Sequence, residues 1–207
     1  MIRFSNKKNI LWDFDGVLID SQEIRIRGFR ETLAEYPLNQ VEELLDFHRI
    51  NGGLSRYVKF QYFFDYIRNE KLTIEKMEEL SNRFSRIMRD SLPNKKFLIQ
   101  DSLTFVISNF RSYHMHIISG SDAEELRYLC ELLGLKKYFI SIEGSPTPKI
   151  DLVERVLSKY SYKPSETIFI GDAINDYQAA EINKIDFYGY NNPELVKYGS
   201  GYINSFQ

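Results

Sequence analysis

Asn9-Ile10-Leu11-Trp12-Asp13-Phe14-Asp15-Gly16-Val17-Leu18-Ile19-Asp20-Ser21 is the stretch whose reading decides the fold. A short apolar run stops at one acid, Asp13, and a second, Asp15, follows two positions later. Such a run reads as a strand buried on both faces, with polar residues gathered at its carboxyl end. Residues two apart on an extended chain share a face, so Asp13 and Asp15 can address one ligand. Gly16 lets the backbone turn sharply away from them.

Working outward, residues from about Ser21 to Leu92 carry only helical spacing. Ile26, Phe29, Leu33 and Tyr36 form one stripe, which Pro37 stops; Val41, Leu44, Leu45 and His48 form another, ending at Gly52-Gly53. Tyr57, Phe60, Phe64 and Ile67 make a third; Ile74, Met77, Leu80, Phe84, Ile87 and Met88 a fourth, closed by Pro93. From about Lys96 the pattern alternates. It predicts helices over 103–110, 122–133, 150–159 and 176–182 and strands over 114–119, 138–142, 167–170 and 185–190. Ser121, with Glu124 three residues on, is expected to cap the second of these helices.

Alternation of this kind predicts a parallel sheet covered on both faces. The expected architecture is therefore α/β. A doubly wound, Rossmann-like core comprises residues 1–20 and 94–207, and an all-helical cap, residues 21–93, is inserted after the first strand. The crossings near Ile19–Ser21 and Ser91–Lys95 are the expected hinges.

The chain has 207 residues, enough for one domain plus a modest insertion at ~150 residues per domain. Hydrophobic residues at 43% and charged residues at 27% are ordinary for a globular protein and argue against global disorder. A formal net charge of −2 offers no broad basic field, so nucleic acid and anionic membrane surfaces are not expected partners. The single cysteine, Cys130, excludes an internal disulfide framework and a Cys-rich zinc site. No apolar run approaches the ~20 residues of a membrane span, and the polar, basic stretch Met1 to Lys8 does not read as a secretory leader. A cytoplasmic protein, monomeric or weakly dimeric, is expected.

Ligands of open parallel sheets bind beyond the carboxyl ends of the strands. Asp13 and Asp15 follow the first predicted strand, Ser119-Gly120-Ser121 the second, Lys149 comes slightly beyond the third, and Gly171-Asp172 with Asp176 follow the fourth. Carboxylates gathered from separate strands repel unless a cation neutralises them. Mg²⁺ fits, being a hard cation that takes oxygen ligands and pairs with phosphate. Asp13 and Asp172 are the best ligands, with a backbone carbonyl near Asp15. Ser119, read as lying just before a helix N-terminus, would form an anion seat with the amides of Gly120 and Ser121. Lys149 supplies the positive charge a phosphate dianion needs. Each motif alone has a plainer reading, as a turn, a cap or a surface lysine; the joint order at successive strand ends carries the catalytic reading.

The segments Asp13–Ser21, Ile118-Ser119-Gly120-Ser121, Gly144-Ser145-Pro146-Thr147-Pro148-Lys149 and Gly171-Asp172-Ala173-Ile174-Asn175-Asp176 resemble, in complete order, the motifs of the haloacid dehalogenase superfamily, specifically its phosphatase branch with a small helical cap. The resemblance implies a Mg²⁺-dependent phosphatase acting on a small phosphorylated metabolite, such as a sugar phosphate or phosphoglycolate. By it Asp13 is the nucleophile that forms an aspartyl-phosphate and Asp15 the general acid–base. Ser119, Gly120 and Lys149 hold the phosphoryl oxygens, while Asp13, Asp15, Asp172 and Asp176 serve the metal. Dehalogenating relatives lack the second Asp, so Asp15 disfavours halide displacement. A phosphomutase of the beta-phosphoglucomutase type would share every core residue; a non-catalytic binding protein would have no need of both nucleophile and acid. Within the cap, Gly53-Leu54-Ser55-Arg56 is similar to the substrate loop of beta-phosphoglucomutase-type relatives, which implies substrate contacts from Gly53, Ser55 and Arg56. The alternative is a helix–helix turn in which Ser55 caps and Arg56 is solvated. Arg25 and Arg27, on the helix after the first motif, read as surface charges, with one of them facing the site as the alternative; His48 reads as structural, His114 and His116 as strand-face residues, and Cys130 as a buried small hydrophobe.

Overall fold

The structure, a computed structural model, describes residues 4–207; the first three positions of the expected core segment 1–20, and of the Met1 to Lys8 stretch, lie outside the described residues. All four residues of β1 (Asn9–Trp12) are buried. Ile10 and Trp12 join one apolar layer and Leu11 the other, which is the two-residue alternation of a strand covered on both sides.

Five helices then follow before the next strand: α1 (Gln22–Thr32), α2 (Leu38–Ile50), α3 (Arg56–Tyr62), α4 (Ile74–Ser91) and α5 (Gln100–Asn109). Strand β2 (His114–Asp122), α6 (Ala123–Leu132), β3 (Ser141–Ser145), α7 (Lys149–Lys159), β4 (Thr167–Gly171), α8 (Ile174–Ile182), β5 (Asp186–Tyr190) and β6 (Gly201–Ile203) complete the chain. The six strands form one sheet in the order β3-β2-β1-β4-β5-β6, parallel throughout. The expected doubly wound α/β fold is the one observed. Because β1 lies between β2 and β4, the connections diverge on either side of it, and its carboxyl end opens into the crevice where such sheets bind ligands.

Local structure departs from expectation at four places. Strand β2 continues through Ser119, Gly120 and Ser121 to Asp122, so Ser121 does not cap α6. Asp122 does, its carboxylate accepting from the Glu124 and Glu125 amides at 3.1 and 3.0 Å. The third strand lies later than 138–142, because Lys136–Tyr138 closes as a 3₁₀ turn. Helix α3 runs on as a π-helical turn, Phe63–Arg68, ending at left-handed Asn69 (φ 54°). Strand β6, three residues at the sheet edge, is too short to show a period.

Apolar residues of α1–α4, among them Phe29, Leu44, Phe60, Phe84 and Met88, are continuous with the core under Ile10 and Trp12. The two chain crossings run side by side: Ile19 bridges Leu98, Asp20 N donates to Phe97 O at 2.8 Å, and Ile99 N to Leu18 O at 3.1 Å. No helix among the described residues is long and apolar enough to cross a membrane.

Candidate active site

Two strand ends and a helix start converge. Asp13 directly follows β1, and its amide donates to Ile170 O on β4 at 2.9 Å. Asp172 directly follows β4, and Asp176 sits in the first turn of α8. One carboxylate oxygen from each of Asp13, Asp172 and Asp176 lies within 4.8 Å of the others. That closeness requires Gly16, whose φ is +71° and where a Cβ would fall 1.9 Å from Asp172 Oδ2.

Lys149, at the start of α7, reaches into the cluster. Its Nζ stands 3.1 Å from Asp13 Oδ2 and donates to Asp176 Oδ1. The Asp176 Oδ2 accepts from the Ala173 amide at 3.0 Å, so both its oxygens are engaged. Burial, then the Asp176 charge, raises the Asp13 carboxyl well above the usual range, and burial with the Asp13 charge does the same to Asp172. Burial works against the Lys149 ammonium, but Asp13 and Asp176 overcome it and hold it charged. Three crowded carboxylates against one ammonium leave an excess of negative charge, and a hard divalent cation such as Mg²⁺ fits that donor set. Asp13 and Asp172 are the freer ligands, and Asp176 stands behind Lys149.

Asp15 faces elsewhere. Arg25 Nε donates to its Oδ1 at 2.6 Å, Ser121 Oγ to its Oδ2 at 2.6 Å, and Ser21 Oγ also to Oδ1. Burial alone would raise this carboxyl; Arg25, then the two hydroxyls, hold it below the ordinary value. Its carboxylate is thus outside the acidic cluster. Arg25, read from sequence as a surface charge, is 8% exposed. Its guanidinium also donates to Ser121 Oγ at 2.8 Å and stands 3.5 Å from Glu125 Oε1.

Ser119 and Gly120 belong to the strand rather than to a helix start. The Ser119 Oγ accepts from the Ser121 amide at 3.1 Å, which turns that amide away from any anion seat. Ser119, Gly120, Asp13, Asp15 and Asp172 line a cavity of about 620 Å³ roofed by α1–α4. Gly53 closes it from above: a Cβ on Gly120 would meet the Gly53 carbonyl oxygen at 2.3 Å. Ser55 caps α3, accepting from Val58 N at 3.3 Å. Arg56 is neither solvated nor free. It is 4% exposed, donates to Glu125 Oε2 at 2.7 Å and Ser85 Oγ at 2.6 Å, and stacks 4.6 Å above Phe84. Glu125, wholly buried at the head of α6, therefore clasps two guanidiniums from the helices above the sheet.

Four residues here were not legible as site residues in the sequence, and Arg25 was so only as the alternative to a surface charge. Arg25, Lys59 and Glu125 each lie one helical turn from a buried apolar residue, Phe29, Phe63 and Leu129, and that spacing was their signal. Asn191 and Asn192 follow β5. Asn191, at φ 57°, donates to Gly16 O at 3.0 Å and Asn192 to Asp172 O at 2.8 Å, tying down the backbone beneath the acids. Extending the strand-end rule to the fifth strand would have found them. His48 is buried, as expected, but it lines the cavity. Cys130 is fully buried, and His116 packs between Ser141 and Tyr162, away from the cavity.

Residues 10–190 match the family described as haloacid dehalogenase-like hydrolase. Pyrophosphatase PpaX of Bacillus pumilus is 25% identical over 179 residues, covering 83% of this chain and 77% of that one. A phosphorylated carbohydrates phosphatase of Thermotoga maritima is 24% identical over 184 residues, covering 83% and 79%. Among solved structures, a beta-phosphoglucomutase from Clostridium difficile superposes with a TM-score of 0.73 at 18% identity, covering 97% of this chain and 92% of that one. A predicted phosphoglycolate phosphatase from Haemophilus somnus 129pt gives 0.72 at 17%, covering 99% and 91%. At those identities the structures speak for the fold.

Proposed function

Because the chain belongs to the haloacid dehalogenase-like hydrolase family, we propose that it is a Mg²⁺-dependent phosphatase hydrolysing a small phosphomonoester, a sugar phosphate or phosphoglycolate-like metabolite, through an aspartyl-phosphate. The observation that carries this reading is the Asp13 carboxylate 3.1 Å from the Lys149 ammonium, beside Asp172 and Asp176, at a cavity that Asp13 and Asp172 line. The phosphatase names of the relatives support the same class.

In this reading an Asp13 oxygen attacks phosphorus, the bond from phosphorus to the ester oxygen breaks, and Asp13 becomes an acyl phosphate. Ser119, Gly120 and Lys149 hold the phosphoryl oxygens, whose charge spreads in the transition state. Asp15, a carboxylate while Arg25 holds it below the ordinary value, would take up a proton from solvent once that contact opens and give it to the departing alkoxide. Asp15 then takes a proton from water, which attacks phosphorus, releasing phosphate and restoring Asp13. Asp13 and Asp172, with Asp176 behind them and the Asp15 carbonyl as a further donor, would hold a Mg²⁺ ion, which would supply neutralising charge for the phosphoryl group.

Residues 21–93 act as the cap over a core of 1–20 and 94–207, hinged at the paired crossings. Gly53, Ser55 and Arg56 shape its closing loop. A cavity of this size suits a small metabolite, and the single buried cysteine is compatible with a cytoplasmic monomer or weak dimer. The test is phosphate release from p-nitrophenyl phosphate with Mg²⁺, with EDTA, and with Asp13→Asn. Release that needs both metal and Asp13 is expected; release undiminished in Asp13→Asn would remove the covalent mechanism.

A further inference from the structure

Lys59 on α3 is 3% exposed and lines the cavity beside the candidate catalytic residues. Burying an ammonium is costly unless a counter-charge meets it. Its only hydrogen bond among the described residues is to the Gly52 carbonyl, at 3.0 Å, with the Phe29 ring 5.9 Å away. The cavity's other buried cations are matched: Arg25 to Asp15 and Glu125, Arg56 to Glu125. Among the described residues no carboxylate forms an ion pair with Lys59, although the Asp15 charge acts on it from a distance. Burial, then the Arg25 charge, pushes its ammonium down to about 7, with the Asp15 charge opposing.

A second unsatisfied group stands nearby. His48 on α2 is 5% exposed and lines the same cavity, and its Nδ1 has no partner. Its ring packs on Phe29 at 5.1 Å, the ring that Lys59 also approaches. A buried cation and a buried orphaned imidazole nitrogen thus meet at the Phe29 ring on the wall of one cavity.

We propose that Lys59, with His48 beside it, receives a second anionic group, carboxylate or phosphate, carried by the leaving portion of the substrate. The inference rests on the phosphatase reading and narrows it: the preferred substrate carries two anions, one transferred and one held. It also divides labour between two cap cations. Arg56 is consumed by Glu125 and shapes the roof, whereas Lys59 remains available to the ligand.

The test compares phosphate release by wild type, Lys59→Met and Lys59→Arg from three probes: inorganic pyrophosphate, 2-phosphoglycolate and glycerol 2-phosphate. The first two leave as anions; the third leaves as a neutral alcohol. A charge-assisted hydrogen bond is worth roughly 10- to 100-fold in affinity. In Lys59→Met, the kcat/KM for the anionic-leaving probes, taken relative to glycerol 2-phosphate, should fall by about that factor, with partial recovery in Lys59→Arg. A fall for pyrophosphate alone, or for 2-phosphoglycolate alone, supports the proposal and names which anion the wall receives. An equal loss on all three probes overturns it and makes Lys59 a structural residue.

Calorimetric affinity for methylenediphosphonate against methylphosphonate needs no turnover. Selective weakening of the diphosphonate in Lys59→Met supports the subsite even if no probe is hydrolysed, in which case the phosphatase reading alone fails. Equal affinity for the diphosphonate in the two proteins overturns the subsite.

Discussion

Glu125→Ala should be among the most damaging single changes away from the acids. Glu125 has no exposed side-chain surface, Arg56 has 2% and Arg25 10%. Removing one partner of a buried ion pair costs about 3–5 kcal/mol, because the charge left behind is desolvated and uncompensated. Here Arg56 would lose the only carboxylate it pairs with among the described residues, while Arg25 would keep Asp15. In a chain of this size each kcal/mol shifts Tm by roughly 2–4 °C, so the expected fall is about 6–20 °C by calorimetry or circular dichroism. Glu125→Gln, which keeps shape and one acceptor, should fall less. Adding Arg56→Met to Glu125→Ala should recover part of the loss, since no orphaned guanidinium then remains at that position. A Tm change under about 3 °C for Glu125→Ala would refute the reasoning, because it would mean that water reaches both guanidiniums and the clasp is not desolvated.

Gly120→Ala places a methyl where the Gly53 carbonyl oxygen stands 2.3 Å away. The closing loop must shift, and a displacement of about 1 Å can cost roughly 10²-fold in kcat/KM on p-nitrophenyl phosphate; activity within threefold of wild type would show that this approach is not needed for turnover. Burial, then the Lys59 and Arg25 charges, depresses His48 to about 2, so below the ordinary value near 6.5 the unfolded chain binds a proton that the folded chain refuses. Stability is therefore lost as pH falls through 6.5. Between pH 7.5 and 5 the stability difference between His48→Phe and wild type should move by about 2 kcal/mol in favour of the variant, measured by urea unfolding; a constant difference would contradict it. Burial, then the Asp15 charge, pushes the Cys130 thiol up to about 12, so a disulfide reagent at pH 8 should label it only after denaturation. Rapid labelling of the folded protein would show that α6 opens.

The acids and their order were legible in the chain because each lies where a strand stops. Backbone alternation and strand termination are local properties, and the strand-end rule turns them into a shared location. The doubly wound fold was legible for the same reason. The helical stripes gave the roof, but not which polar residues on those helices turn inward. Arg25 and Arg27 look alike in sequence. Only packing separates them: Arg25 lies on the buried side of α1 with Phe29, while Arg27 bonds outward to Ser91.

The sequence by itself determined the sheet, the helical segment within it, and the positions of Asp13, Asp15, Ser119, Lys149, Asp172 and Asp176, since these follow from periodicity and from chain punctuation. Tertiary structure decided the partners. It turned Asp15 toward Arg25 rather than into the acidic cluster, closed Glu125 on two guanidiniums, and left Lys59 buried beside an orphaned His48. Which charge meets which depends on distances between residues far apart in the chain and on the exclusion of water between them, and neither is a property of local sequence.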